Sequence, residues 1–109
     1  MSVSVSQPIE ALERLYRTGF QSSFLDSALR KVVARQIERD QADLAHIEQV
    51  LTDFEGQYGL DSDEFWRRYQ AGQTDDSADF VEWNVACKMR QRLLSRLEIL
   101  KGDSGGDGK

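Results

Sequence analysis

Chemistry on a protein needs a nucleophile beside a base, a metal set or a phosphate cradle, and this chain offers little of any. His46 is the single histidine and Cys87 the single cysteine of its 109 residues. His46 stands beside the apolar Ile47, as a solvated or rim histidine would, and no Cys or Ser motif accompanies it. Cys87 falls on an apolar stripe, where a thiol behaves as a small hydrophobe. Asp75, Asp76 and Asp79 could hold a hard cation, but the calcium-loop spacing is absent and capping of a helix start accounts for them. No glycine-rich phosphate loop and no serine at a strand-to-helix elbow is expected. The inventory points away from an enzyme, with no cofactor and no metal.

The residues that stand out instead are aromatic. Phe65, Trp66, Tyr69, Phe80 and Trp83 cluster with charged neighbours in Phe65-Trp66-Arg67-Arg68 and Phe80-Val81-Glu82-Trp83. Such a set either plugs a helical hairpin or forms an exposed hot spot, because aromatics and arginine dominate both settings.

The elements that hold these residues are helical. Ile9, Leu12, Leu15 and Tyr16 recur at helical spacing, giving a short amphipathic helix over 8–18 that Gly19 ends. Ser22 or Ser23 caps the next helix. From Phe24, a broad face of Leu25, Leu29, Val32, Val33 and Ile37 runs into a heptad seam of Leu44, Ile47, Leu51, Phe54 and Tyr58. Position 40 of that seam is Asp40; a buried aspartate is costly, so the stripe should break there or face water. About 35 residues of helix would span about 50 Å.

Gly59 suits a left-handed stop, and Asp61 with Glu64 reads as a capping box opening a short helix over 62–71, closed by Gly72. Ser77 caps a return helix carrying Phe80, Trp83, Cys87, Leu93, Leu94, Leu97 and Leu100. The expected fold is all-α: residues 1–7 as a flexible end or short strand, a single helical domain over 8–101, and a disordered tail over 102–109. Within the domain, 8–40 is the dimerisation part and 41–101 an antiparallel hairpin. The return helix, about 33 Å long, cannot match the long one. The unmatched face of Leu12, Leu15, Leu25, Leu29, Val32 and Val33 therefore predicts a homodimer.

Composition agrees with elongated helices. The hydrophobic fraction is 39%, the charged fraction 30%, and there is one proline. A net charge of -5 opposes nucleic-acid binding by the whole chain through bulk electrostatics. Residues 1–40 carry net +1 and 41–109 net -6, so the acidic part is free to meet a basic partner. One cysteine suits a reducing compartment, and neither a signal peptide nor a membrane span is expected. A cytoplasmic location follows.

Two resemblances extend this. Residues 1–40 run as an alternating Ser/Val segment, a short helix, a turn with Gly and Ser, and then Ala28-Leu29-Arg30-Lys31-Val32-Val33. That order resembles a ribbon-helix-helix repressor. The resemblance implies that Ser2, Ser4 and Ser6 face DNA while Ser22 and Ser23 present a helix N-terminus to phosphate. The segment lacks the Arg, Lys, Asn or Gln such a ribbon uses.

The second resemblance covers roughly residues 12–100. Leu25-Asp26-Ser27-Ala28-Leu29-Arg30-Lys31, the run from Tyr58-Gly59-Leu60-Asp61 to Tyr69-Gln70-Ala71-Gly72, and Asp75-Asp76-Ser77-Ala78-Asp79-Phe80-Val81-Glu82-Trp83 resemble a group of small, largely uncharacterised bacterial and archaeal helical proteins. They are common in cyanobacteria and look like antitoxin halves of toxin–antitoxin pairs. The resemblance implies a non-enzymatic protein that binds a small, nuclease-like toxin, with control of its own operon as a further role. Partner contact would fall on Phe65, Trp66, Arg67, Tyr69, Asp76, Asp79, Phe80, Glu82 and Trp83. A structural helical adaptor is the remaining alternative.

Overall fold

The computed structural model describes residues 6–102. The fold is all-α, with four helices among these residues: α1 (Ser6–Arg17), α2 (Ser23–Tyr58), α3 (Ser62–Gln70) and α4 (Ala78–Lys101). The chain divides into two compact units, Met1–Val32 and Val33–Lys109. The boundary falls earlier than residue 40, because Asp40 is already bonded to α4. The expected flexible end or short strand over 1–7 and the expected disordered tail over 102–109 lie outside the described residues, except that Ser6 and Gln7 are helical in α1 and Gly102 ends α4.

In the first unit, α1 begins two residues before the expected start, so Pro8 still lies in the first turn, where its missing N–H costs no helical bond. Ser22 is the cap of α2: its Oγ accepts the Leu25 N–H at 3.1 Å and its carbonyl accepts the Asp26 N–H at 2.9 Å. Tyr16 donates its hydroxyl to Asp26 at 2.7 Å, which ties the end of α1 to the start of α2. None of the residues of α1 is buried.

The second unit is a hairpin. Along α2 and α4 the partners run in opposite order: Asp40 with Arg96, Glu48 with Arg90, Phe54 with Trp83, Tyr58 with Phe80. The seam buries Ile47, Leu51 and Phe54 against Trp83, Ala86, Cys87 and Leu93. Ala86, absent from the expected stripe, is a small side chain inside the α4 half of this core. Leu94 of that stripe is exposed instead.

Asp40 overturns the expectation of a broken or solvated stripe. It is 1% exposed. Arg96 donates Nε and a terminal nitrogen to its two oxygens at 2.8 and 2.9 Å, and Gln36 donates an amide N–H at 2.9 Å. A guanidinium fork on the return helix meets both carboxylate oxygens, which is how a seam tolerates a buried charge. Arg96 holds the Asp40 carboxyl below its ordinary range, against the effect of burial.

The corner follows the glycine pattern but with a different cap. Gly59 has φ 62° and its N–H reaches the Glu55 carbonyl at 2.8 Å, the left-handed stop that a Cβ would strain. Asp61 caps α3 by accepting the Asp63 N–H at 3.1 Å. Glu64 does not complete the box: its carboxylate takes Arg67 and Arg68 of its own helix. Glu55 of α2 accepts the Ser62 N–H instead, at 2.9 Å, so α3 is capped by the helix it folds against. Ser77 caps α4 as expected, accepting the Phe80 N–H at 3.3 Å.

The Asp40–Arg96 pair generates an asymmetric expectation. Arg96→Ala leaves a buried carboxylate without its cation and should lower the melting temperature clearly. Asp40→Leu fills the seam with an apolar side chain while Arg96, half exposed, turns to water. That variant should melt at or above the parent temperature. Calorimetry on the two variants decides it.

Candidate interaction surfaces

The hairpin takes its shape from one aromatic stack. Phe65 of α3 and Trp83 of α4 lie parallel, centroids 3.9 Å apart, both fully buried. Phe54 of α2 stacks on Trp83 at 5.4 Å, and Trp83 donates its indole N–H to Ser62 Oγ at 3.0 Å. The spacing of Phe65 and Tyr69 puts both on one face of α3, and Phe80 and Trp83 share one face of α4.

This placement corrects the expected contact surface. Phe65 and Trp83 are core and have no surface to offer a partner. Trp66, Tyr69 and Phe80 are half-buried against that core. Trp66 donates its indole N–H to Asn84 at 2.9 Å, and Phe80 meets Tyr58 edge-on at 5.1 Å. Asp79 is half-buried and accepts the Tyr58 hydroxyl and the Gln57 amide, fastening the start of α4 to the end of α2. The Asp79 hydrogen bond raises the Tyr58 pKa above its ordinary value. Arg67 is exposed and paired with Glu64; Asp76 and Glu82 are exposed. Of the nine residues, Arg67, Asp76 and Glu82 are the exposed ones.

Sequence reasoning missed several working residues. Ser62 and Asn84 satisfy the two indole N–H groups, and nothing in their local spacing marks them. Val81, Val85 and Met89, exposed at intervals of four along α4, form a row that the spacing does reveal.

No catalytic constellation assembles from the candidates. His46 is exposed and opens on a groove with Asp43, Met89 and Arg92, while Cys87 opens on a different cleft, with Glu48, Glu55, Asp61 and Asp63. Burial pushes the Cys87 thiol up to about 11, with the negative charge of Asp63 adding to the rise. At neutral pH it is a protonated thiol and a poor nucleophile. Among the described residues no group of three or more His, Cys, Asp or Glu is placed to hold a metal ion, and no helix is long and apolar enough to cross a membrane.

In the N-terminal unit the expected dimer residues stand open. Leu12 and Leu25 are half-buried; Leu15, Leu29 and Val32 are exposed, as is Val33 just past the unit boundary. Ile9, Phe20 and Phe24 join them, with Phe24 77% exposed. The serines of the DNA reading fare differently. Ser2 and Ser4 lie outside the described residues, Ser6 is helical rather than in a ribbon, and Ser22 is engaged as a cap.

Compared with protein-family models, with curated proteins and with solved structures, the chain matches none.

Two measurements check this chemistry. Cys87 should resist iodoacetamide in the native protein at neutral pH and react freely in urea. The second concerns Glu64, whose carboxyl Arg67 and Arg68 hold down at about 2 against 4.5 unfolded. A carboxyl depressed in the fold stabilises it fully above the unfolded value, and the contribution fades as pH falls from 4.5 toward 2. Urea midpoints should drop across that window. Glu64→Gln should lessen the drop, leaving the part due to Asp40, which acts in the same sense below 3.8.

Proposed function

We propose that this chain is a non-enzymatic, antitoxin-like protein of the cytoplasm that pairs with a copy of itself and restrains a small basic toxin against its acidic hairpin. The observation that supports this reading is the division of its surface. Residues 6–32 carry Arg14, Arg17, Arg30 and Lys31 against Glu10, Glu13 and Asp26, net +1, and leave Ile9, Leu15, Phe20, Phe24, Leu29 and Val32 exposed. Residues 33–101 carry nine Lys/Arg against fourteen Asp/Glu, net -5, over a hairpin with a complete core of its own.

A nuclease-like toxin presents a positive face to nucleic acid, and a negative helical surface competes for that face. Asp76 and Glu82, exposed around the start of α4, are the charges best placed to do so. Rim charges of this kind act mainly on the rate of encounter and on salt dependence. A DNA-binding ribbon has less behind it, since Ser6 and Ser22 are occupied in helix starts.

The test starts from the reading frame adjacent to its gene, which the proposal requires to be small and basic, and co-expresses the two. The expected result is co-purification, relief of growth arrest, and affinity that falls with salt. Asp76→Lys combined with Glu82→Lys should weaken binding by about tenfold, roughly 1.4 kcal/mol. Absence of binding, or binding indifferent to salt and to both reversals, would contradict the proposal.

A further inference from the structure

The antiparallel pair of α2 and α4 has two flanks, and α3 covers one of them. Phe65 meets Phe80, Trp66 donates to Asn84, and the Cys87 thiol lies 3.9 Å from the Ser62 carbonyl. No helix of the hairpin covers the other flank. There a groove of about 390 Å³ opens between α2 and α4, within the roughly 300–1,000 Å³ of clefts that hold ligands.

The groove has an apolar floor and a polar rim. Ile47 and Leu93 are buried at its base, and Met89 lines it while still 42% exposed. Asp43 and His46 form the α2 rim; Arg92 and Arg96 form the α4 rim. Arg92 has no hydrogen-bonded or ionic partner among the described residues. Arg96 gives Nε and one terminal nitrogen to Asp40 and stays half exposed, which leaves its other terminal nitrogen for a further acceptor.

The floor continues along α4. Val81, Val85 and Met89 are exposed at steps of four, and Arg92, Arg96 and Ile99 follow at steps of three and four. Val81 to Ile99 spans about 27 Å of helix, or five turns. A linear apolar strip beside a groove between two helices suits an amphipathic helix laid along it, with anchors at matching spacing.

Charge decides which helix. Lys88, one turn before Arg92, and Arg39, one turn before Asp43, share this flank. With Arg92 and Arg96 they make four bases against Asp40 and Asp43, net +2, on a hairpin of net -5. Nearer the corner, Asp53 and Glu82 are acidic, so the bases gather at the open end beside the groove. A basic helix is repelled there, and a helix with carboxylates beside Arg92 and Arg96 is attracted. Nucleic acid fits less well, because an apolar strip contributes nothing to phosphate.

We propose that this groove takes an acidic amphipathic helix from a partner protein, its apolar face on Ile47, Met89 and Leu93 and its carboxylates on Arg92 and Arg96. The site is separate from the acidic surface assigned to the toxin and does not rest on that assignment.

The probes are two fluorescein-labelled peptides of about 18 residues, long enough to be helical. Both carry leucines on one face; one carries glutamates on the other and one lysines. Anisotropy titrations on the full chain should show saturable, salt-sensitive binding of the glutamate peptide and none of the lysine peptide. Arg92→Gln and Met89→Asp, both at exposed positions, should each weaken binding about tenfold or more, with the near-ultraviolet signal of Trp83 unchanged. Arg14→Glu, a charge change at an exposed position of α1 outside the hairpin, should leave it within twofold. No binding of the glutamate peptide, equal binding of both peptides, or affinity indifferent to Arg92 and Met89 overturns the proposal. So does duplex DNA that binds in an Arg92-dependent way while the peptide does not.

Discussion

Where α4 lies along α2 is decided by the bond between Asp40 and Arg96. A heptad seam is permissive about register: sliding one helix by a heptad exchanges leucine for isoleucine or phenylalanine over most of its length. Asp40 is the exception. Displaced by one heptad it would stay buried and lose the guanidinium that answers both its oxygens, a far worse state than an imperfect apolar contact. At the other end, Trp83 is fixed between Phe65 and Phe54 with its indole N–H on Ser62. A charge pair and an aromatic stack thus pin the hairpin at two places, and the leucines between them fill the space.

The corner depends on that register. Glu55, one residue past Phe54, accepts the first free N–H of α3, so α3 finds its cap only when it turns back on α2. Ser62, which carries that N–H, also takes the Trp83 indole on its hydroxyl. Backbone capping and core packing are therefore coupled through one serine. The chain can bury so many aromatic side chains here because both indole N–H groups and the Tyr58 hydroxyl are answered within the hairpin, by Asn84, Ser62 and Asp79.

How much of this could be read from the residues differs from element to element. Heptad spacing located α2 and Gly59 its end; Asp61, Gly72 and Ser77 set the ends of the later helices, because these signals act over a few residues. The fate of Asp40 was not legible, since its partner stands 56 residues further on and local sequence says only that a buried aspartate is costly. The Asp61–Glu64 spacing suggested a capping box, but the arginines at 67 and 68 compete for Glu64, and Glu55 reaches the corner only through the fold. The aromatic cluster was ambiguous for a physical reason: the same side chains build cores and hot spots, and burial alone separates Phe65 and Trp83 from Arg67 and Glu82. The open N-terminal rows were visible as a pattern, though Phe24 looked like the start of a stripe rather than its most exposed member.

The hairpin carries a core of its own, whereas no described side chain of the N-terminal unit is buried. Amide hydrogen exchange followed across a dilution series tests this division most directly. Amides of α1 and of the first turns of α2 should lose protection as the protein is diluted, while those around Ile47, Leu51, Trp83 and Leu93 keep theirs at every concentration. Protection in α1 that persists unchanged on dilution, or loss that spreads equally through the hairpin, would contradict it.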